Sequence, residues 1–300
     1  MEGTPISSTK QTWSLMEVLK SATDFLKTKS IENPRLNAEQ MLATCLNLTR
    51  MKLYLQFDRP LSQEERDNYK ELLRRRAEHE PLQYIIRQTE FMSLPFQVEP
   101  SVLIPRPETE TLVETVLDLN FEESVRILDI GTGSGCIAIS LAHYLPNAKI
   151  TAVDKFDDAL QIAKANAELN QTTTQIHFLK LDVMDSEFIS SFDSAFDILV
   201  SNPPYVTSEE YTTLPLEIRE HEPIEALTDH DDGLTFYRRI AETAKSLVKP
   251  GGFCLVEVGD TQSQAVQKIF NDSCLGTAKV LCDLNNIERV IQIKIENEDK

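Results

Sequence analysis

A glycine-rich loop is the first candidate for ligand binding. The segment 129–135 reads Asp-Ile-Gly-Thr-Gly-Ser-Gly, between an apolar run and a second apolar stretch of helical character. Glycine lets the backbone turn tightly and approach a ligand, because it has no Cβ. The spacing differs from that of the dinucleotide-binding loop, and it lacks the lysine of a phosphate-binding P-loop. Since an aspartate before the glycines would repel a phosphate, the loop favours a ligand with an ammonium or sulfonium group.

Two aspartates end the strands predicted after this loop. Asp154 ends the second strand, where a carboxylate can accept hydrogen bonds from both hydroxyls of a ribose. Asp182 ends the third, where it can accept from an adenine amino group. Each aspartate alone is more typical of a helix cap or a turn. Together with the glycine loop, at the edge where parallel sheets bind ligands, they favour S-adenosylmethionine.

The fourth predicted strand ends in a rigid turn, Asn202-Pro203-Pro204-Tyr205. Two prolines remove amide donors and fix the backbone. The Asn202 side-chain oxygen and the Pro203 carbonyl can accept both N–H hydrogens of a planar nitrogen, and Tyr205 can pack on its flat face. These contacts localise the nitrogen lone pair and align it for methyl transfer. We therefore predict Asn202, Pro203 and Tyr205 as the catalytic residues, without a metal or a covalent nucleophile.

Strands and helices alternate beyond Pro105, which predicts an α/β fold with a parallel sheet. The two last strands are separated by a gap too short for a helix, so they should form an antiparallel hairpin at the sheet edge. The predicted strands are Arg126–Ile130, Lys149–Asp154, 175–181, Phe196–Ser201, 253–258, Ala278–Cys282 and 289–295.

Residues 12–90 read as successive helices instead. The first shows apolar residues at three- and four-residue spacing, the second begins near Pro34, and the third begins with a capping box, Ser62 and Glu65. The triple arginine 74–76 lies among glutamates, which favours a solvated helix face over an RNA-binding patch. The apolar positions of the first helix are Trp13, Met16, Leu19, Ala22, Phe25 and Leu26.

A length of 300 residues suggests two domains. We predict a helical N-terminal substrate-docking domain over 1–90, a hairpin or linker over 91–104, and a catalytic domain over 105–300. The extended segments between residues 91 and 103, interrupted by Pro95 and Pro100, support the boundary.

The net charge of −18 is concentrated in the larger part of the chain. Basic and acidic residues number 14 and 13 up to Pro95, but 16 and 35 beyond it. An acidic surface repels phosphate backbones, which argues against a nucleic acid partner. The five cysteines show no metal-binding spacing and predict structural thiols in a reducing cytoplasm. No membrane segment or targeting signal is evident, and we expect a cytoplasmic monomer without a metal.

Further motifs, in order along the chain, make the sequence resemble the peptide-chain-release-factor N5-glutamine methyltransferases. The resemblance covers nearly the whole chain, and its first motif is the most specific, because the Asn-Pro-Pro-Tyr turn also occurs in adenine-amino DNA methyltransferases. The motifs are Pro-Arg-Pro-Glu-Thr-Glu at 105–110, the glycine loop, the turn at 202–205, Glu-Pro-Ile-Glu-Ala-Leu at 222–227, Asp-Gly-Leu at 232–234, Lys-Pro-Gly-Gly at 249–252, Glu-Val-Gly at 257–259, and Asp283 with Arg289.

The resemblance implies a Rossmann-like class I S-adenosylmethionine-dependent methyltransferase sheet with an antiparallel edge hairpin, preceded by a small helical domain. It implies methylation of the side-chain amide of the glutamine in the Gly-Gly-Gln loop of class 1 release factors, which supports translation termination. The implied substrate-binding residues are Arg106, Asn202, Pro203, Pro204 and Tyr205. The implied cofactor-binding residues are Asp129, Gly131, Thr132, Gly133, Ser134, Gly135, Asp154, Asp182, Val183 and Asn202.

Two positions depart from the family pattern. The segment 228–231, Thr-Asp-His-Asp, stands where a glycine is usual, which leaves the path of this loop open. Asn286 replaces the usual glycine of the last hairpin, a mild change because asparagine tolerates left-handed backbone angles.

Two other functions stay open as alternatives. A nucleic-acid adenine-N6 methyltransferase could use the same turn, but it should carry a basic recognition region. A non-catalytic adapter should have lost Asn202 or the glycines, and both are present.

Overall fold

The computed structural model describes residues 13–121 and 124–296. The chain divides into two compact units, Met1–Ile86 and Arg87–Lys300. No helix within the described ranges is both long and apolar enough to cross a membrane.

The N-terminal unit is helical. Both capping boxes in it satisfy backbone donors at a helix start: Ser14 with Glu17, and the predicted Ser62 with Glu65. Buried side chains from α1, α2 and α4 form its core, among them Leu19, Met41 and Tyr69. The helices are α1 (Leu15–Thr28), α2 (Pro34–Cys45), α3 (Arg50–Leu55), α4 (Gln63–Ala77) and α5 (Leu82–Ile86).

Two sequence-based predictions for this unit need correction. Trp13 and Phe25 are 38% and 39% exposed and do not belong to the buried face of α1. The arginines 74–76 do not share one solvated face, because Arg76 is buried and its Nε donates to Asn37 Oδ1 at 2.7 Å. Its two neighbours pair with glutamates, as the pattern predicts.

Glu39 is the most buried charge of the unit, at 1% exposure. Its carboxylate accepts hydrogen bonds from the Tyr54 hydroxyl, Arg35 Nε (2.5 Å) and Arg50 Nη2 (2.7 Å). Burial alone would raise the pKa of this carboxyl, but the donors outweigh it and the pKa is lowered. Glu39 is therefore ionised, and its hydrogen bonds link α2 to α3.

The second unit begins with a small antiparallel hairpin, β1 (Gln88–Phe91) paired with β2 (Leu94–Gln97). Its first strand starts before residue 91, so the hairpin begins within the stretch predicted to be helical. A 3-10 turn at Pro107–Thr109 then leads into the first helix of the α/β part.

The main sheet has seven strands in the order β5-β4-β3-β6-β7-β9-β8. The first five are parallel, and β8 and β9 form an antiparallel hairpin. This confirms the predicted α/β fold with its edge hairpin and helical N-terminal region. The strands are β3 (Arg126–Ile130), β4 (Lys149–Asp154), β5 (Ile176–Lys180), β6 (Phe196–Ser201), β7 (Val248–Glu257), β8 (Ala278–Cys282) and β9 (Glu288–Lys294).

Helices cover both faces of this sheet. Adjacent strand residues point to opposite faces, and apolar side chains on each face pack against a different layer of helices. Ile127 and Ile198 face the layer formed by α6, α7 and α8, whereas Leu128 and Leu199 face α11 and α12. The helices are α6 (Glu110–Leu117), α7 (Cys136–Tyr144), α8 (Asp157–Leu169), α9 (Ser208–Tyr211), α10 (Leu216–Arg219), α11 (Thr235–Leu247) and α12 (Ser263–Asp272).

Both departures from the family pattern adopt left-handed backbone angles. Asn286 has φ +60° in the β8–β9 turn, as expected for a residue that replaces glycine. In the loop 228–231, His230 has φ +63°, and the Asp229 carboxylate accepts from the backbone amides of Asp231, Gly233 and Thr235. The hydrogen bonds to Asp229 therefore stabilise the conformation of this loop.

Candidate functional site

A cavity lies where the strand order reverses. Chain order runs outward from β3 to β5 and then returns to β6 on the other side of β3, so the carboxyl ends of β3 and β6 flank a switch point. Open parallel sheets bind ligands at such points. The cavity has a volume of about 130 Å³. It is lined by Gly131, Gly133, Asp154, Phe156, Asp182, Val183, Asn202, Pro203, Pro204, Glu225 and Phe236, among others.

The glycine loop forms one wall. Gly131 and Gly133 have φ of +73° and +53°, and nothing lies within 4 Å of a Cβ placed at either position. The backbone amides of Gly131 and Thr132 donate to the Val153 carbonyl at 2.9 and 3.0 Å, which fastens the loop to β4. Glycine therefore serves here to permit the backbone conformation and to leave the wall open.

Four predicted cofactor-binding residues do not line the cavity: Asp129, Thr132, Ser134 and Gly135. Asp129 is fully buried, accepts from Thr132 Oγ1 at 2.6 Å, and has its pKa raised to about 7 by burial. A Cβ on Gly135 would lie 2.8 Å from Ile139 and 3.2 Å from Ala163. The structure gives these residues the geometry of supports for the loop.

Both acidic strand-end residues reach the cavity wall. Asp154 Oδ2 accepts from the Gly133 amide at 2.9 Å, and Oδ1 accepts from the Phe156 amide at 3.0 Å. Asp182 Oδ1 accepts from the Met184 amide at 2.9 Å. Burial raises the pKa of Asp154, although its backbone donors oppose the shift. Because each carboxylate oxygen can accept two hydrogen bonds, both groups keep capacity for a ligand.

Apolar side chains complete the wall between these aspartates. Phe156 is 42% exposed beside the Asp154 carboxylate, and Phe236 and Ile240 come from α11. Sequence reasoning missed all three. An aromatic directly after an acidic strand end was a possible signal for Phe156, whereas the α11 residues gave no local signal.

The Asn-Pro-Pro-Tyr turn forms the opposite wall, and three of its four residues line the cavity. The Ser201 hydroxyl donates to the Ile130 carbonyl at 2.8 Å, which holds the end of β6 against β3. Asn202 Nδ2 donates to Thr109 Oγ1 at 3.1 Å. Thr109 belongs to the Pro-Arg-Pro-Glu-Thr-Glu motif, and the motif therefore contacts the turn directly.

Tyr205 does not line the cavity wall, but it is held tightly by two glycines and a glutamine. Gln262 Nε2 donates to the Tyr205 carbonyl at 2.7 Å. A Cβ on Gly233 would lie 2.3 Å from that carbonyl oxygen, and one on Gly259 would lie 3.2 Å from the ring. The glycines of the Asp-Gly-Leu and Glu-Val-Gly motifs are thus needed for close packing around the turn.

Arg106, predicted to bind substrate, forms an ion pair with the buried Glu222, Nη2 to Oε1 at 2.5 Å. Burial raises the pKa of Glu222, and Arg106 opposes the shift. In the same motif, Glu110 Oε1 accepts from the Met92 amide at 2.6 Å. The motif therefore connects the β1–β2 turn, the segment at Glu222 and the Asn-Pro-Pro-Tyr turn.

The electrostatics of the wall fit a positively charged nucleoside. Asp154, Asp182 and Glu225 line it, with Lys155 as the basic residue at the same wall. A carboxylate beside an apolar slot can bind the hydroxyls of a ribose while its planar base lies in the slot. The excess of acidic over basic side chains in the wall favours the positive charge of a sulfonium. Among residues 13–121 and 124–296, no group of three or more acidic, histidine or cysteine side chains is arranged to hold a metal ion.

The fold and the site define a class I methyltransferase. The solved structure of the hMettl16 catalytic domain in complex with MAT2A 3′UTR hairpin 6 has this fold. It is 18% identical, with a TM-score of 0.55, and the match covers 69% of this chain and 77% of that one. At this identity the similarity concerns the fold alone.

Sequence comparisons identify the family. The family described as PrmC N-terminal domain matches residues 17–86, and the Methyltransferase small domain matches residues 107–218. The release factor glutamine methyltransferase of Chlorobaculum tepidum is 38% identical over 93% of this chain and 97% of its own length. That of Geobacter sulfurreducens is 39% identical over 93% and 96%. The chain belongs to the release factor glutamine methyltransferase family.

Proposed function

We propose that this protein transfers a methyl group from S-adenosylmethionine to the side-chain amide nitrogen of the glutamine in the Gly-Gly-Gln loop of class 1 release factors. The observation that carries the proposal is the orientation of Asn202, whose NH₂ group is bonded to Thr109. Its carbonyl oxygen is therefore left to accept an N–H from a substrate amide in the cavity.

The cofactor supplies an electrophilic methyl group on a positively charged sulfur. For this chain, we assign Asp154 to the ribose hydroxyls and Asp182 to the adenine amino group. Gly131, Gly133 and Val183 line the remaining wall. The acidic wall offsets the positive charge, and the glycines allow close approach of the backbone.

The turn activates the substrate nitrogen. Asn202 Oδ1 and the Pro203 carbonyl accept the two N–H hydrogens, so the nitrogen lone pair becomes localised and available. Tyr205, which does not line the cavity, is fixed by the packing around it and holds the turn in place. The nitrogen gains the methyl group and releases one proton to solvent. Positioning and aligned dipoles supply the rate enhancement.

The names of the relatives support a release factor as the substrate and do not favour a nucleic acid. The acidic balance beyond Pro95 also argues against a polyanion. We place the reaction in the cytoplasm because release factors act there on ribosomes.

We further propose that the N-terminal unit docks the intact release factor. A groove between α1 and α4 supports this role, with a volume of about 750 Å³. Exposed aromatic rings, Trp13 and Phe25, lie in it beside basic side chains, Lys29 and Arg66. Truncation to a protein that begins at Arg87 should preserve methylation of a short Gly-Gly-Gln peptide and greatly reduce methylation of the intact factor. Equal activity on the intact factor would refute the docking role.

The decisive experiment is tritiated methyl transfer from S-adenosylmethionine to a purified release factor, with a DNA duplex as the parallel substrate. Asn202→Ala should lower single-turnover methylation by about 100- to 1,000-fold, since it removes an acceptor aimed at the transition state. Asn202→Asp should be intermediate, and cofactor affinity should stay within about tenfold. Asn285→Ala, at an exposed turn, is the control. Methylation of the duplex, or near-normal turnover of Asn202→Ala, would overturn the proposal.

A further inference from the structure

A buried carboxyl group lies next to the Asn202 turn without lining the cavity. Glu257 ends β7, and it is 1% exposed. The Tyr205 hydroxyl lies 3.5 Å from its Oε1. Among the described residues, Oε2 has no hydrogen-bond partner, although the Thr109 hydroxyl lies close enough to the carboxyl to lower its pKa. A buried carboxyl with so few donors destabilises the fold, so stability does not explain its presence.

The directions in which Asn202, Thr109 and Glu257 can hydrogen-bond depend on one another. Asn202 Nδ2 donates to Thr109 Oγ1 at 3.1 Å, and the Thr109 hydroxyl neighbours the buried Glu257 carboxyl, whose Oε2 has no hydrogen-bond partner among the described residues. An ionised carboxylate can only accept, whereas a hydroxyl donates once and accepts from others. Because Thr109 Oγ1 accepts from Asn202, its hydrogen is available to the unpaired acceptor of Glu257. With its NH₂ group donating to Thr109, Asn202 has its Oδ1 available to accept a hydrogen bond from a substrate in the cavity.

We propose that Glu257, acting through Thr109, is a positioning residue that fixes the orientation of the Asn202 amide for a substrate that offers N–H groups. The inference rests on the proposed function and adds a specificity device to it. Without an acceptor at Glu257, the Thr109 hydroxyl would donate to Asn202 Oδ1. The Asn202 NH₂ would then face the cavity and oppose the hydrogens of a substrate amide.

Protonation of Glu257 should have the same effect as its removal. Burial raises its pKa to about 7, although the neighbouring Thr109 hydroxyl opposes the shift. As pH falls below this value, the neutral carboxyl can donate as well as accept, so it no longer fixes the direction of the Thr109 hydroxyl. Turnover should therefore decline as pH falls through about 7. The other titratable groups facing Glu257 are Glu108, Cys136, Tyr205, Tyr237 and Arg289.

Thr109→Val tests the inference, because valine keeps the shape of threonine and lacks the hydroxyl. At pH 8 we expect kcat for methylation of a release factor to fall by about 10- to 100-fold, as misaligned catalytic groups do. The KM for the factor and the Kd for S-adenosylmethionine should stay within about threefold. The decline of kcat below pH 7 should disappear. Thr109→Ser, which restores the hydroxyl, should stay within about threefold of wild type.

Thr243→Val is the matched control, because Thr243 is a fully buried threonine whose hydroxyl donates to a helix carbonyl. Its turnover should match wild type. Glu257→Met gives a second test if Thr109→Val is unstable, since it replaces a buried carboxyl by an unbranched apolar chain. It should lose turnover to the same extent as Thr109→Val.

Wild-type turnover in Thr109→Val, or in Glu257→Met where Thr109→Val does not fold, would overturn the positioning role and leave the proposed function intact. An equal loss in Thr109→Ser would also overturn it. A wild-type protein that does not methylate a release factor would instead contradict the proposed function.

Discussion

Glu257 should make the stability of the second unit depend on pH. Burial raises its pKa from 4.5 to about 7. Below about pH 4.5 the carboxyl is neutral in both the folded and the unfolded chain, so it costs nothing. Between about pH 4.5 and 7 the unfolded chain gives up its proton while the folded chain retains it, so the folded state loses stability over this range. A pKa difference of this size corresponds to roughly 3 kcal/mol, fully expressed above about pH 8.

Glu257→Gln keeps the shape of the side chain and removes its titration. We expect the free energy of unfolding of the variant, relative to wild type, to rise by on the order of 3 kcal/mol between pH 4.5 and 8. Urea unfolding followed by far-UV circular dichroism at several pH values measures this difference. Asp129, whose pKa is also raised to about 7, is present in both proteins and cancels. Fluorescence of Trp13, the single tryptophan, reports separately on the N-terminal unit.

A difference that stays constant across this pH range would refute the reasoning, because it would mean that Glu257 titrates normally in the folded protein. A difference that decreases with pH would mean that its neighbours stabilise the ion. The variant should also be less active at pH 8, since glutamine no longer enforces donation from Thr109.

Other substitutions test the cavity and the two units. Asp154→Ala should raise the Kd for S-adenosylmethionine by about 10- to 100-fold, since it removes charge-assisted hydrogen bonds worth roughly 1.5–3 kcal/mol. An unchanged Kd in calorimetric titration would contradict the assignment of Asp154 to the ribose. Gly233→Ala should lower turnover by at least about tenfold, because its Cβ would lie 2.3 Å from the Tyr205 carbonyl oxygen. Gly251 also has a positive φ, but a Cβ there would meet no other atom within 4 Å, so Gly251→Ala should stay active. Glu39→Gln should destabilise the N-terminal unit by about 1–2 kcal/mol, measured by tryptophan fluorescence during urea unfolding, because two partly exposed arginines lose their shared carboxylate.

The parts of the fold that depend on local chemistry could be predicted from the sequence. The capping box at Ser62 and the boundaries of β3, β4, β6 and β8 match the predicted residues. The glycine loop and the Asn-Pro-Pro-Tyr turn come together because carboxyl ends of adjacent parallel strands meet at one edge. That argument needs only the alternation of strands and helices.

Contacts between distant segments could not be predicted in the same way. Thr109 and Asn202 are 93 residues apart, and neither carries a local signal for the other. Arg76 is buried because its partner Asn37 lies on a different helix, 39 residues away. Apolar spacing shows that α1 is amphipathic but not how wide its buried face is, which explains the exposed Trp13 and Phe25.

The Pro-Arg-Pro-Glu-Thr-Glu segment has a consequence for the entropy of substrate binding. Its bonds to Glu222 and Asn202 close loops of 116 and 93 residues, and its bond to Met92 closes one of 18 residues. Closing a flexible loop of about 100 residues costs roughly 4 kcal/mol. The protein meets that cost once, when it folds. A substrate that enters the cavity therefore meets walls already fixed against one another, and its binding energy remains available for aligning the nitrogen.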